Sequence, residues 1–201
     1  MVDCGPGAGL CRRCKRSSPS KNDSRRALDG GTVSLEAAHE LHTRVLGAVL
    51  VDSINDVDNR RSVAAAEADA ERLRSNFRSY FSDLSGIFTN TSNPAIRHWV
   101  EEQAMNADPN TAIGPKLDTP NIDPQKLFAN AGVPIRGIDA EPPLSEKTNF
   151  VENRRYADYD AILVSDSGHF IPLERPEEFN RDLSRWLLQW HDGRAFFHRC
   201  S

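Results

Sequence analysis

One histidine in this 201-residue chain stands where chemistry is usually built. Gly168-His169-Phe170 follows the apolar run Tyr159 to Val164, with Ser165-Asp166-Ser167 between them. If that run is a buried parallel strand, His169 lies just beyond its carboxyl end, the edge on which open α/β sheets assemble their sites. Gly168 lets the backbone turn sharply in front of it. A second run, Val133-Pro134-Ile135-Arg136-Gly137-Ile138, leads into Asp139 and Glu141, which are expected just past its end. An acid that accepts an imidazole N–H fixes the tautomer and stabilises the imidazolium, so His169 with Glu141, or with Asp139 as the alternative, makes a general base. Taken alone, the same residues also fit a histidine that caps a loop and a solvated glutamate.

The elements that must hold these groups are read from periodicity. Val33 to Leu41 reads as a helix, and Val45 to Val51, ending at Asp52-Ser53, reads as a strand apolar on both faces, the mark of a parallel sheet covered by helices. Leu73, Phe77, Tyr80, Phe81 and Leu84 share one helical face, so a long helical region is expected there. Asn93-Pro94 and Asp123-Pro124 are helix starts, and Gly132 is a stop. Thr148 to Tyr156 reads as a short helix, with the strand Tyr159 to Val164 after it. A last helix begins near Pro176 and carries Phe179, Leu183, Trp186, Leu187 and Trp190 on one face. Strands alternating with helices imply right-handed crossovers and a parallel sheet of about three strands.

Composition sets the outer limits. The net charge is −4, which speaks against a nucleic-acid partner, and no apolar run approaches the ~20 residues of a membrane helix or follows the first charges as a signal peptide does. Residues 1–29 hold seven basic and three acidic side chains, net +4, leaving −8 for the remainder. This basic head has almost no large apolar residues and is expected to be disordered. Cys4, Cys11, Cys14 and Cys200 fit a reducing, cytoplasmic setting, and Cys11-Arg12-Arg13-Cys14 lacks the second pair of ligands that a zinc site needs. No metal or cofactor is expected. His39 and His42 are expected to meet the terminal carbonyls of the first helix, and Trp99 to be packed.

Residues 30–190 resemble the C-terminal part of an α/β-hydrolase. Gly168-His169-Phe170 followed by Leu173-Glu174-Arg175-Pro176-Glu177-Glu178-Phe179-Asn180 is similar to the segment that carries that family's catalytic histidine. Leu50-Val51-Asp52-Ser53 resembles the family's sixth strand and Val133-Pro134-Ile135-Arg136 the start of its seventh. The resemblance implies a partial α/β-hydrolase domain over 30–201, a helical cap over about 55–130 that helps select a small ester- or acyl-type substrate, His169 as catalytic base, and Glu141 or Asp139 as the acid. The family places its nucleophile in G-x-S-x-G, which occurs nowhere in this chain. Gly30-Gly31 resembles the stretch just after that turn, and the serine's place then falls on Leu28, which has no hydroxyl. Ser34, Ser53 and Ser167 lack the turn, so no nucleophile is assigned. The expectation is a truncated, catalytically impaired hydrolase; the alternative is a non-catalytic binding or interaction module on the half-fold. A strand at 45–51 without its neighbour would also be an open edge through which the chain associates with itself.

Overall fold

The computed structural model describes residues 30–81, 87–88, 92–141 and 147–191, without the side chains of His42 and His191. The basic head, its three cysteines and Cys200 lie outside the described residues. In chain order the elements are α1 (Gly30–Leu41), β1 (Ala48–Val51), α2 (Val63–Ser75), α3 (Phe77–Phe81), α4 (Pro94–Asn106), α5 (Pro109–Asp118), α6 (Pro124–Ala131), β2 (Ile135–Ala140), α7 (Phe150–Tyr156), β3 (Tyr159–Val164), α8 (Ile171–Glu174) and α9 (Pro176–His191).

The three strands form one parallel sheet in the order β1-β2-β3, with Ala48 opposite Ile135 and Ile135 opposite Tyr159. Strand alternation sorts the core into two layers. Ala48, Leu50, Ile135 and Tyr159 meet Leu35 of α1 and Leu127 and Phe128 of α6. Ile138, Ala140 and Val164 meet Ile171 and Trp186 on the other face. Trp186 is fixed there by an N–H donated to the Gly137 carbonyl at 3.3 Å and by the Arg136 guanidinium 5.5 Å from its ring.

The expected strands and the observed ones differ at their ends for a backbone reason. β1 begins at Ala48, not Val45, because its first bond goes from Ala48 N–H to the Pro134 carbonyl at 2.9 Å, and Pro134 has no N–H to extend the ladder backwards. Gly47, just before it, lies under Trp190, whose ring leaves no room for a Cβ. β2 runs to Ala140, two residues further than expected, because β3 supplies partners up to Val164. Asp139 is therefore inside the sheet and not past its edge.

The helices repeat the pattern. The expected long helix breaks at Asn76, which ends α2 and whose Oδ1 accepts the Ser79 N–H at 3.0 Å to start α3; Leu84 lies outside the described residues. Asn93, Asp108 and Asp123 cap α4, α5 and α6, each ahead of a proline in the first turn. α5 is not among the expected helices, yet it forms, with Pro115 inside it, and packs on α2. Gly132 ends α6 at φ 67°, as its type predicts. Trp99 is exposed on α4, and His39 Nδ1 meets the Asn130 carbonyl of α6 at 2.8 Å, not a carbonyl of its own helix.

Candidate functional site

The carboxyl edge of the sheet brings together Asp52 from the end of β1, Glu141 from the end of β2 and His169 from the turn after β3. His169 Nδ1 lies 2.7 Å from Asp52 Oδ2. The other oxygen, Asp52 Oδ1, accepts the Ala140 N–H at 3.1 Å, and the Asp52 N–H donates to the Ile138 carbonyl at 3.0 Å. Asp52 is thus tied to the end of β2 by backbone and side chain, and only 4% of its side chain is exposed against 48% for His169. With Nδ1–H donating to this carboxylate, Nε2 is the nitrogen left to accept a proton.

The backbone bends to make this meeting possible. Asp52 has φ 45° and Ile54 φ 53°, in the left-handed region. Aspartate tolerates it, but for a β-branched isoleucine it is strained by on the order of 1–3 kcal/mol, a kind of strain that clusters at functional sites. On the other side Gly168 has no space for a side chain. A Cβ there would lie 2.3 Å from the Ile87 carbonyl oxygen and 2.9 Å from Phe88 Cα. The His169 N–H donates to that same Ile87 carbonyl at 2.8 Å, and Phe170 stacks on Phe88 with ring centroids 5.2 Å apart. The segment between β1 and β2 thereby reaches back over the histidine turn.

An open cavity of about 440 Å³ lies beside the pair, lined by Gly30, Gly31 and Ser34 of α1, by 49–54, and by His169. The Ser34 hydroxyl donates to the Gly30 carbonyl at 2.6 Å, and the buried Ser167 hydroxyl to the Gly168 carbonyl at 3.1 Å. Among the described residues no serine or threonine hydroxyl bonds the His169 ring.

The two acids singled out in the sequence stand apart from the imidazole. Glu141 is exposed, and its Oε2 accepts the Ser165 hydroxyl at 2.6 Å. Asp139 is 1% exposed; its Oδ2 accepts the Thr148 hydroxyl at 2.8 Å and the Tyr159 hydroxyl at 3.4 Å. Burial, with a smaller push from the Asp52 charge, moves the Asp139 carboxyl up to about 7 despite these hydrogen bonds. Burial likewise raises the Tyr159 phenol, which stays protonated. The carboxylate that meets the imidazole, and that sequence reasoning passed over, is Asp52. The signal was present, since Val51-Asp52-Ser53 puts an acid at the end of an apolar strand, but only the sheet order shows that the loop after β3 reaches across β2 to β1.

Among the described residues no group of three or more His, Cys, Asp or Glu is placed to hold a metal, and no helix is long and apolar enough to cross a membrane.

No protein-family model matches the sequence, and no curated protein matches it. Solved structures do. A thermophilic esterase from Thermogutta terrifontis is similar with a TM-score of 0.66 at 19% identity, over 81% of this chain and 62% of that one. The enol-lactonase from Burkholderia xenovorans has a TM-score of 0.64 at 14% identity, over 79% and 62%. A bromoperoxidase from Bacillus anthracis has a TM-score of 0.60 at 14% identity, over 79% and 64%. This chain thus spans somewhat less than two thirds of the length of each. The three parallel strands, their flanking helices and the histidine turn therefore constitute a partial α/β-hydrolase fold.

Proposed function

We propose that His169 and Asp52 are the base and acid of an ester- or acyl-hydrolase type of site, and that this chain by itself is catalytically impaired. The observation that supports the pair is the 2.7 Å contact between an exposed imidazole and a buried carboxylate whose other oxygen is already held by β2. In that arrangement Nε2 takes a proton from an attacking hydroxyl, and Asp52 stabilises the imidazolium. Asp52 fills the role that sequence reasoning assigns to Glu141. The impairment is inferred from the sequence, which holds no G-x-S-x-G, and is supported by the Ser34 and Ser167 hydroxyls, both of which donate to backbone carbonyls. A small ester or acyl compound would enter the cavity beside His169, and residues 55–130 would act as the cap, with Ile87 and Phe88 as their contact with the histidine turn. The test is hydrolysis of p-nitrophenyl acetate. The expected result is no turnover above a His169→Ala control. Turnover that His169→Ala abolishes, and that Asp52→Asn cuts by about 10²-fold or more, would show an active hydrolase and overturn the impairment.

The open edge favours a second reading, an interaction module built on the half-fold. β1 has no outer neighbour among the described residues. Because Ala48 and Asp52 direct their N–H groups to β2, the N–H groups of Val49 and Val51 point to the free side. Val33, Leu41 and Leu46, on α1 and just before β1, are 43–61% exposed. We propose that this edge pairs with a second copy. The expected result in light scattering after gel filtration is a mass that rises with concentration, and Val49→Pro, which removes an outward N–H and no ladder bond, returns it to the monomer. A monomer at every concentration would overturn the pairing.

A further inference from the structure

The stretch that carries Asp52 is bent into a conformation Ile54 disfavours, and two asparagines of the α7 region hold it there. Asp52 and Ile54 stand at φ 45° and 53°, and such a bend persists only where its surroundings fix it. β2 fixes the near end, through the Asp52 N–H on the Ile138 carbonyl and the Ala140 N–H on Asp52 Oδ1. The far end is held by Asn153, which is 0% exposed in the middle of α7. Its Nδ2 donates to the Asn55 carbonyl at 2.9 Å, and its Oδ1 accepts the Val57 N–H at 3.0 Å. Asn149, about one helical turn earlier on the same face, gives its own N–H to the same Asn55 carbonyl at 2.8 Å and its Nδ2 to Asp56 Oδ2 at 3.1 Å. From there the bonds run back to the site. Asn55 Nδ2 donates to Asp52 Oδ1 at 3.4 Å, and Asp52 Oδ2 lies 2.7 Å from His169 Nδ1.

We propose that Asn153 is a positioning residue for the Asp52–His169 pair: its amide clamps the 55–57 backbone and so keeps the left-handed bend that aims the Asp52 carboxylate at the imidazole. The proposal rests on that pairing and adds the residue that sets its geometry. The side-chain type is what the role needs. A leucine would fill the same buried space, but a carboxamide presents a donor and an acceptor side by side, and here they match the Asn55 C=O and the Val57 N–H on either side of Asp56. Without the amide, the Val57 N–H, whose residue is 0% exposed, loses its acceptor, and the Asn55 carbonyl keeps the Asn149 donor. A buried N–H without an acceptor is costly enough to move the backbone that carries it. Ile54 then relaxes to the negative φ that a β-branched residue favours, and Asn55 Nδ2 leaves Asp52. The consequence is read on His169. A neutral imidazole carries one ring proton, and a carboxylate at Nδ1 draws it there, which leaves Nε2 as the base.

The experiment reads which ring nitrogen of His169 bears the proton, by ¹H–¹⁵N NMR of the intact chain at about pH 9, above the ordinary histidine range, with His169→Ala to assign the signals. In the wild type the Nδ1–H form predominates. In Asn153→Ala the ratio of Nδ1–H to Nε2–H falls about fivefold, what the loss of one ordinary hydrogen bond is worth, while the amide spectrum stays that of a folded chain. Leu183→Ala, which removes packing from the opposite face of the sheet, lowers the melting temperature and leaves the ratio as it is. If Asn153→Ala does not fold, Asn149→Ser takes its place. Serine still caps α7 but does not reach Asp56, and the ratio falls in the same direction by less. An unchanged ratio in the folded asparagine variant, or an equal fall in Leu183→Ala, overturns the clamp and leaves the pair. An unchanged ratio in Asp52→Ala, or a wild-type ring that is mostly Nε2–H, overturns the pair itself.

Discussion

Gly168→Ala lowers the stability of the domain by about 3 kcal/mol and frees the 87–88 segment from the histidine turn. The new methyl meets backbone on two sides, the Ile87 carbonyl at 2.3 Å and Phe88 Cα at 2.9 Å, and neither can rotate away as a side-chain end does. Relief requires the segment to lift. That breaks the bond from the His169 N–H to the Ile87 carbonyl and separates the Phe88 and Phe170 rings. Phe88 is 2% exposed, so its release also returns apolar surface to water. Urea unfolding gives the stability change, and loss of hydrogen-exchange protection at the His169 amide locates it. Gly114→Ala in α5, where an added Cβ meets nothing within 4 Å, is the matched control and is expected to be neutral or stabilising. An unchanged midpoint in Gly168→Ala would mean that the segment does not rest on the turn.

Asp139→Asn stabilises the chain, and the gain depends on pH. The Asp139 carboxyl ionises at about 7 in the fold against 3.8 for an unperturbed aspartate. Between these values the folded state keeps a proton that the unfolded chain has released, so the contribution of Asp139 to stability falls as pH rises from about 4 to about 7 and levels off above that. Asparagine keeps the shape and the acceptor for Thr148 and carries no charge to bury. The variant's advantage is therefore absent near pH 4, grows across the interval and reaches its full size above pH 7. An interval of about three pH units corresponds to at most about 4 kcal/mol, and solvent reaching the site reduces it. Thermal unfolding of both proteins at pH 5 and pH 8 measures the difference. Equal melting temperatures at pH 8 would mean that Asp139 is ionised at little cost.

These two effects lie on opposite sides of the same site. Gly168 governs whether His169 is held from above by the segment between β1 and β2. Asp139 lies one residue before Ala140, whose N–H binds Asp52 Oδ1. Neither residue lines the cavity.

The parallel sheet, and the place of His169 beyond the end of β3, were legible from local chemistry alone. A strand with no polar face, as in β1, has to be covered on both sides, and Asx-Pro starts and Gly132 mark helix ends through short-range backbone effects. Gly168-His169 stood out because a glycine before a histidine after such a strand is itself a local pattern. Which carboxylate meets the imidazole was decided only by the folded sheet. Asp52, Asp139 and Glu141 look alike in sequence, each near the end of an apolar run. Their places divide by register and distance across the sheet: β2 extends to Ala140 and buries Asp139, Glu141 turns outward to Ser165, and Asp52 is folded back at φ 45° under the imidazole 117 residues away. Strand periodicity acts over a few residues, whereas a hydrogen bond between the ends of two strands depends on how the whole sheet is stacked, and no local pattern encodes that.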